Sequence, residues 1–494
     1  MKSTFYSISA DDVKISLRDL AAIIQMLSLV MLAPLIATIR YSTKSGLTER
    51  LIEASAFLVP SLILYTIYKI LHMLKIDTPT QTKHIMITVA LAWIIMALVG
   101  SIPFMMRDTL DPLDSFFESM SGWTTTGFSM LRDIENTHKD LLLYRGIMQG
   151  VGGLGVISLG MMVLLHGTSP GIGYADIGIQ KLKPGIKNTI IETWKIYGLY
   201  ILMGIVLLNI AGMGLFDAVN HSFTAVATGG FSTRSDIGYY NSVAIEAVLV
   251  FLMLVGMTSF ILHYRFFNGD RKVIKNAEFR YGMGVMLIAI IAISLSIWGK
   301  DIDGVNTHSA FDVLRKSTFQ VVAGTSTCGY NTIDFGKWPD FAKTFMTFLM
   351  YMGGMSSSTG GGIRIIRFII ILKAIHYSLK KLVLPKTGVV VMKIDGKALK
   401  EDIITVIGYT AAYLAVCIIL ASSLMLVGYR SIDSIFTIMS AMGNDGLNVL
   451  AGADWYNMHA AGKLTIIVAM WIGRIEIYPG LLILRNFLER FNML

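Results

Sequence analysis

One short segment recurs four times along this chain, and each copy runs from an aspartate to a glycine. The aspartate follows an apolar residue, and the glycine comes 13 residues later in three copies and 17 residues later in the third. The copies run from Asp114 to Gly127, Asp217 to Gly230, Asp312 to Gly329 and Asp433 to Gly446. This recurrence predicts four similar units around one axis, each of which contributes one glycine to a shared opening.

The composition places these segments in a membrane protein. Hydrophobic residues make up 54% of the 494 residues and charged residues only 15%, whereas soluble domains carry about 25% charged residues. Apolar runs of about 20 residues recur, and such runs are long enough to cross the ~30 Å hydrocarbon core. The net charge of +9 is explained by basic loops at the membrane surface, so we expect contact with membrane lipid and no nucleic-acid partner. The two cysteines predict no disulfide framework.

The apolar runs and the short segments alternate in a regular order. Each repeat has a long apolar span, the short segment and a second long span, which with two earlier spans predicts ten spanning helices. The short segments are too short to span and too apolar for surface loops, so we interpret them as re-entrant half-helices. The predicted divisions are a cytoplasmic tail (1–18), two N-terminal transmembrane helices (19–80) and pore repeats at 81–190, 191–278, 279–400 and 401–494.

Charge asymmetry predicts the orientation in the membrane. The loops at 181–195, 265–280 and 364–400 are rich in Lys and Arg and are therefore expected on the cytoplasmic side. The opposite side is acid-rich, and an acidic vestibule there would concentrate cations; a merely solvated loop surface is the alternative. The acidic residues are Asp108, Asp111, Asp114, Asp133, Glu135, Asp236, Asp301, Asp303, Asp334 and Asp340.

The residues around the four glycines suit the dehydration of a cation. Backbone carbonyls can replace the water shell of an alkali ion, and glycine relieves the steric limit on turning them inward. The candidate filter residues are Thr125, Thr126, Gly127, Thr228, Gly229, Gly230, Thr327, Cys328, Gly329, Asn444, Asp445 and Gly446. Turns that close helical hairpins are the alternative interpretation. The aspartate at the start of each segment is interpreted as a helix N-cap rather than a metal ligand.

A glycine-rich stretch interrupts the second span of the third repeat. Its five glycines and four hydroxyl residues predict a break in the helix, because each interior glycine costs about 1 kcal/mol relative to alanine. Close helix packing by small residues is the alternative. The candidate gate residues are Gly353, Gly354, Ser356, Ser357, Ser358, Thr359, Gly360, Gly361 and Gly362, with Arg474 of the last span. The stretch from Gly150 to Gly155 matches a dinucleotide-binding pattern but lies in an apolar span, so we interpret it as helix packing.

Two motifs and the four repeats resemble the Trk/Ktr/HKT potassium uptake superfamily, and the TrkH-type ion-conducting subunit most closely. The motifs are Thr124-Thr125-Thr126-Gly127-Phe128 and Thr228-Gly229-Gly230-Phe231-Ser232-Thr233. The resemblance extends from about residue 19 to the end. It implies an all-α polytopic protein of the inner cell membrane, with four helix–pore-loop–helix repeats around a central pore and two extra N-terminal helices. Glycine at all four filter positions implies K⁺ as the permeating ion. The resemblance also implies that the 353–362 loop obstructs the pore below the filter and that Arg474 lies near this loop.

The resemblance also implies partners. It predicts a homodimer that docks a cytosolic ring of nucleotide-binding domains of the RCK/TrkA type, because this chain carries no nucleotide-binding domain and no cofactor of its own. We expect an ion channel rather than an enzyme, since catalytic motifs are absent from the sequence. Two alternatives stay open: a K⁺/H⁺ or K⁺/Na⁺ symporter on the same fold, and a polytopic membrane enzyme or receptor.

Two residues depart from the pattern of the resembled family. Cys328 stands where threonine is usual, and Asp445 places a carboxylate directly before the fourth glycine. A carboxylate that faces the pore would deepen the cation well, whereas one that faces protein needs a donor or a proton to offset its burial. On this basis Asp445→Asn is expected to retain K⁺ uptake and to shift K⁺/Na⁺ discrimination.

Overall fold

The apolar runs fold into helices, and three N-terminal helices precede the repeats. The computed structural model describes residues 10–42, 46–74, 78, 80–165, 186–302, 304–383, 392–395, 397–398, 403–450 and 452–482. Residues 1–9, the basic positions Lys181, Lys183, Lys386 and Lys400, the acidic position Asp303 and the end of the last predicted span lie outside the described residues. The first helices are α1 (Ala10–Val30), α2 (Leu35–Tyr41) and α3 (Leu47–His72).

The second half of the predicted cytoplasmic tail is helical. Helix α1 begins at Ala10, so the polar residues between 10 and 18 form its first turns rather than an extended tail. Asp12 accepts a hydrogen bond from His84, with 2.7 Å between Oδ1 and Nε2, and both side chains are buried. This contact fixes the start of α1 against the first helix of the first repeat.

Four repeats follow, each with a half-helix between two longer elements. The first comprises α4 (Thr82–Gly100), α5 (Ile102–Met106), α6 (Pro112–Trp123) and α7 (Lys139–Leu165). The second comprises α8 (Ile186–Ile210), α9 (Leu215–Val226), α10 (Val243–Met257) and α11 (Phe260–Phe267). The third comprises α12 (Ala277–Ile297), α13 (Ala310–Thr325), α14 (Asp340–Met352) and α15 (Ile365–Val383), and a ribbon of β1 (Lys393–Ile394) antiparallel to β2 (Lys397–Ala398) follows it. The fourth comprises α16 (Ile403–Leu426), α17 (Ser431–Gly443), α18 (Ala453–Tyr456) and α19 (Ala460–Arg474).

Several of the ten predicted spans are bent or interrupted. Among the described residues, six helices are long and apolar enough to span, or seven if α10 and α11, which are bent by 101°, count as one. The second span of the third repeat is broken between α14 and α15 at the glycine-rich stretch, as its composition predicted. Helix α19 of the last span ends at Arg474, and Glu476 and Ile477 just beyond it adopt positive φ angles of 57° and 39°.

Each repeat packs its second span against the half-helix of the next repeat. Helix α7 contacts α9, α10 contacts α13, α14 contacts α17, and α19 returns to contact α6. The half-helices are buried, as Phe117, Phe319 and Phe436 illustrate, each of which is at most 1% exposed and lies ten residues before its glycine. The packing therefore closes into a ring with the four half-helices inside it.

The prediction that the four recurrent aspartates are N-caps was wrong. Asp111 and Ser309 cap α6 and α13, while Gly214 and Arg430 precede α9 and α17 without a side-chain cap. The recurrent aspartates lie three residues later, at the third helical position. A carboxylate there still interacts favourably with the positive end of the helix dipole, and it is free to bond other elements, as Lys463 of α19 does with Asp114 of α6.

Candidate functional site

The four segments that contain the predicted filter residues (the filter segments) share one backbone conformation. In every repeat, the glycine and the residue two positions before it have positive φ angles, although that earlier residue is a threonine or an asparagine. The φ values are 53°, 49°, 58° and 51° at Thr125, Thr228, Thr327 and Asn444, and 95°, 77°, 74° and 89° at Gly127, Gly230, Gly329 and Gly446. Left-handed backbone at a non-glycine residue costs free energy and is retained where the surroundings impose it. Because four different sequences adopt the same geometry, the four segments are expected to form one common site.

The four segments meet in a closed ring. A Cβ atom added to Gly127 would collide with the carbonyl oxygen of Gly229, which directly precedes the glycine of the second repeat. The same relation joins Gly230 to Cys328, Gly329 to Asp445 and Gly446 to Thr126. Only glycine fits these positions, because the positive φ and the neighbouring carbonyl both exclude a side chain. The structure thus brings together all twelve predicted filter residues, and each glycine lies against the next repeat.

The half-helices end immediately before this ring and hold it. In each repeat the residue before the glycine donates its backbone N–H to a carbonyl of the half-helix five positions earlier, with N···O distances of 2.8–2.9 Å. The donor and acceptor pairs are Thr126 and Ser121, Gly229 and Thr224, Cys328 and Ala323, and Asp445 and Ser440. The C-terminal ends of four helix dipoles therefore converge at the ring, which favours a cation there.

A polar side chain in each of the first three half-helices forms a hydrogen bond with the end of its own filter segment, and sequence reasoning missed this contact. The residue nine positions before the filter glycine is Glu118, His221 or Gln320, and it bonds the residue two positions after the glycine in every case. Glu118 accepts from Ser129 Oγ at 3.1 Å, His221 Nε2 lies 3.0 Å from Ser232 Oγ, and Gln320 donates to Asn331 Oδ1 at 2.9 Å. The fixed offset from the glycine could have identified these residues.

Two side chains of α7 connect the first repeat to the second. Arg145 donates to Glu118 Oε1 at 2.7 Å and to the carbonyl oxygen of Ser232 at 2.9 Å, and its guanidinium lies 3.9 Å from the ring centroid of Phe231. Gln149 donates to the carbonyl oxygen of Gly229 at 2.6 Å and accepts from the N–H of Phe231 at 3.0 Å. Helix α7 therefore positions the filter segment of the repeat that follows it.

A cavity of about 220 Å³ lies on the outer side of the ring and is lined by all four filter glycines. Asp236 is the acidic residue among those that line it, and the basic residues Arg145 and Arg234 line it as well. The predicted acidic vestibule therefore does not surround the ring itself. Further out, Asp133 lines a second cavity beside the 107–138 segment. Hydrogen bonds from the side chain and backbone of Asn136 hold the pKa of Asp133 below its ordinary value and keep it charged.

The predicted gate loop, which spans the described residues between α14 and α15, lies on the inner side of the ring. The hydroxyl oxygen of Thr359 is 3.0 Å from the carbonyl oxygen of Val226, 2.9 Å from that of Gly256 and 3.3 Å from Thr228 Oγ1. Gly361 donates its N–H to Thr327 Oγ1 at 2.7 Å. The loop thus bonds the filter threonines of two repeats and the end of one half-helix.

The loop is also tied to the surrounding helices. Met355 donates its N–H to the carbonyl oxygen of Met257 at 3.0 Å, and Ser357 accepts from the N–H of Phe260 at 3.1 Å. Ser356 donates its N–H and its hydroxyl to Glu278 Oε1 at 2.9 and 3.0 Å. These bonds join the loop to α10, α11 and α12, so it has a defined position below the ring.

Arg474 lies beside this loop and is 5% exposed. It donates to the carbonyl oxygen of Thr359 at 3.3 Å and to that of Gly152 at 3.2 Å. Within the described residues Arg474 forms no ion pair with Glu476, which lies two positions later in the chain. Glu476 instead pairs with Arg367 at 3.0 Å and with Arg364 at 3.5 Å.

The glycine-rich stretch of α7 packs closely, as predicted. A Cβ atom on Gly152 would collide with the carbonyl oxygen of Trp123, and one on Gly153 would lie 3.1 Å from the Cβ of Ala227 and 3.3 Å from a Thr359 methyl group. Glycine here allows α7 to approach the ends of two half-helices and the gate loop. This approach is what brings Arg474 within reach of the Gly152 carbonyl.

Both departures from the resembled family are buried side chains. The thiol of Cys328 lies 3.9 Å from the carbonyl oxygen of Thr224 in the neighbouring half-helix. Asp445 is fully buried, and its Oδ1 accepts from the N–H of Leu447 at 3.3 Å. The side chain of Asp445 is therefore partnered by protein at one of its two oxygens.

Comparisons with known proteins agree with this architecture. An uncharacterized cation transporter of Methanocaldococcus jannaschii is 30% identical over 481 residues, which cover 96% of this chain and 95% of that protein. The Trk system potassium uptake protein TrkH of Salmonella typhimurium is 31% identical over 413 residues, with 80% and 83% coverage. The crystal structure of the potassium transporter TrkH from Vibrio parahaemolyticus matches with a TM-score of 0.83 and 27% identity, over 96% of this chain and 98% of that one. Residues 55–492 match the TrkH family, described as cation transport protein, and the chain therefore belongs to that family.

Proposed function

We propose that this protein takes up potassium across the cell membrane through a selective, gated pore. The observation that carries the proposal is the closed ring of the four filter segments. In this ring each filter glycine lies against a backbone carbonyl oxygen of the adjacent repeat, which belongs to the residue directly before the filter glycine of that repeat. A ring of backbone carbonyls can replace the hydration shell of K⁺. The names of the relatives support the choice of ion, since those from Salmonella typhimurium and Halomonas elongata are potassium uptake proteins.

Permeation in this proposal has three parts. An ion loses water at the ring, where four half-helix C-termini converge and stabilise positive charge. Its path inward is obstructed by the 353–362 loop, which bonds Thr228 and Thr327 directly. Conduction therefore requires these bonds to break and the loop to move away. Arg474 adds a positive charge beside the loop, and we propose that it both anchors the loop and opposes cations when the loop is in place.

The decisive experiment is a flux assay with purified protein in K⁺-loaded liposomes. Wild type and Gly329→Ser are compared with K⁺, Rb⁺, Na⁺ and Li⁺ outside. Wild type is expected to favour K⁺ and Rb⁺, and the variant to lose this preference, because the serine Cβ would collide with the Asp445 carbonyl. Equal flux of all four ions through folded wild type would contradict a K⁺-selective filter.

The same liposomes separate a pore from a coupled transporter. A pore gives currents that reverse at the K⁺ equilibrium potential, whatever the Na⁺ and H⁺ gradients are. A symporter on the same fold would instead shift its reversal potential when either of those gradients is changed. The reversal potential is therefore measured at a fixed K⁺ gradient while the Na⁺ and proton gradients are varied one at a time.

We propose in addition that the subunits form homodimers and that a cytosolic ring of nucleotide-binding subunits of the RCK/TrkA type controls the loop. The basic stretch at 364–400 supports a docking face, since Lys380 and Lys381 at the end of α15 are exposed. Affinity purification from the native membrane tests both points, by the mass of the purified particle and by copurification of a soluble nucleotide-binding protein. A monomeric particle, or flux that does not respond to such a partner, would contradict this part alone.

A further inference from the structure

The fourth repeat lacks the supporting side chain that the other three share. Nine positions before the glycine, Glu118, His221 and Gln320 each bond the segment that follows the filter, but the fourth repeat has Thr437 there. Threonine is too short to make the equivalent contact, and Thr437 Oγ1 has no hydrogen-bond partner within the described residues although it is buried. The segment after Gly446 must therefore be held in another way.

Asp445 supplies the missing support from inside the filter segment itself. Its Oδ1 accepts from the N–H of Leu447, the residue directly after Gly446, at 3.3 Å. Ser440 Oγ accepts from the N–H of Gly446 at 3.1 Å. The residue directly before the glycine is Thr126, Gly229 or Cys328 in the other repeats, and none of these carries a carboxylate. The hydroxyl of Thr126 accepts from Asn444 Nδ2 of the fourth repeat at 3.1 Å.

We infer that Asp445 is a positioning residue of the fourth filter segment, which takes over the role played in the first three repeats by the side chain nine positions before the glycine. Its carboxylate acts by fixing the backbone around Gly446. The carbonyl oxygen of Asp445 in turn lies against Gly329, so displacement of this segment alters the ring on two sides. This inference rests on the proposed filter, and it gives the acidic side chain a function other than direct contact with the ion.

The third repeat provides a model for variants of the fourth repeat that test this inference. The third repeat combines Gln320 nine positions before the glycine with Cys328 directly before it. The double variant Thr437→Gln with Asp445→Cys gives the fourth repeat the same pair of residues. The variant Asp445→Cys alone removes the acceptor without restoring the support, and Thr437→Gln alone controls for the added glutamine.

The first readout is the K⁺/Na⁺ flux ratio in liposomes. We expect Asp445→Cys to lower the ratio about tenfold, the effect of one hydrogen bond of ordinary strength, and the double variant to recover most of the wild-type ratio. Asp445→Asn keeps an acceptor oxygen, so the structure now predicts a much smaller shift for it than for Asp445→Cys. An Asn variant as impaired as the Cys variant would show that the negative charge acts on the ion directly and would overturn the inference.

The second readout is the thermal unfolding midpoint in detergent, which needs no transport. Asp445→Cys is expected to lower it and the double variant to restore it. A double variant no better than Asp445→Cys in both readouts would overturn the inference, even if wild-type flux remains K⁺-selective. Wild type that conducts without selectivity would contradict the proposed function instead, and the unfolding midpoints would still decide the role of Asp445.

Discussion

Gly446 of the last filter segment lies directly against the carbonyl oxygen of Thr126 in the first, and this contact closes the ring. It requires a glycine for two reasons, because φ at Gly446 is 89° and because an added Cβ would collide with that oxygen. The contact joins the two ends of the repeat array, so the geometry of the whole ring depends on it.

Replacing Gly446 by alanine should therefore impair selectivity in a folded protein. We expect the K⁺/Na⁺ flux ratio to fall at least about tenfold, since the strain of a positive φ and the collision together cost more than 1 kcal/mol. The matched control is Gly408→Ala in α16, where an added Cβ meets no atom within 4 Å. Equal ratios for the two variants would contradict the role of the ring.

The loop between α14 and α15 should limit flux. Deletion of residues 355–361 is expected to raise K⁺ flux and weaken its control, because the obstruction below the ring is removed. Unchanged flux in a well-folded deletion variant would refute a gating role. The measurement is initial K⁺ flux per reconstituted protein.

A finer change at the same loop is Thr359→Val. It removes a hydroxyl that bonds the Val226 and Gly256 carbonyls but keeps the size of the side chain. Loss of a hydrogen bond from the obstructed state should raise flux about two- to tenfold. Thr66→Val is the control, since Thr66 is exposed and its hydroxyl bonds only the Leu62 carbonyl of its own helix among the contacts described.

Arg474 should affect flux through both its charge and its contacts with the loop. Arg474→Gln keeps a donor for the Thr359 carbonyl but removes the positive charge beside the path, whereas Arg474→Ala removes both. We expect flux to rise in both variants and more in Arg474→Ala. Arg430→Gln, at an exposed loop position, controls for the loss of a positive charge elsewhere. Flux that stays at the wild-type level in Arg474→Ala would contradict the proposed role.

The ion pair between Glu118 and Arg145 should contribute to stability. Both side chains are at most 1% exposed, and removal of one partner from a buried pair costs about 3–5 kcal/mol because the other charge is left unpaired. Arg145→Met should therefore lower the thermal unfolding midpoint strongly, and Glu118→Gln added to it should recover part of the loss. Lys14→Met, at the exposed pair with Asp11, should change the midpoint little. A double variant less stable than Arg145→Met would argue against the pair.

The sequence predicted most of the fold because it contains four copies of one pattern. Repetition identified the half-helices and the filter glycines, and the local content of glycine identified the break at 353–362. Sequence reasoning misassigned Asp114 and its equivalents as N-caps, because each lies at the third helical position, three residues after the residue that precedes the helix. Asp114, for example, pairs with Lys463 of α19 instead. Sequence reasoning also left Glu118 and His221 without a role. Their partners lie in the segment beyond the glycine. The fixed offset of nine positions is visible in the sequence, but the hydrogen bonds to that segment are visible only in the folded chain.

The ring contacts involve only glycine α-carbons and backbone carbonyl oxygens. The side chain of the residue that supplies the oxygen is therefore under no constraint from the ring, and the four repeats carry Thr126, Gly229, Cys328 and Asp445 at this position. Duplicated repeats can thus diverge at the filter itself without loss of the opening. The side chains at this position can therefore serve separate tasks, as Cys328 contacts the half-helix of the neighbouring repeat and Asp445 accepts a hydrogen bond from its own segment.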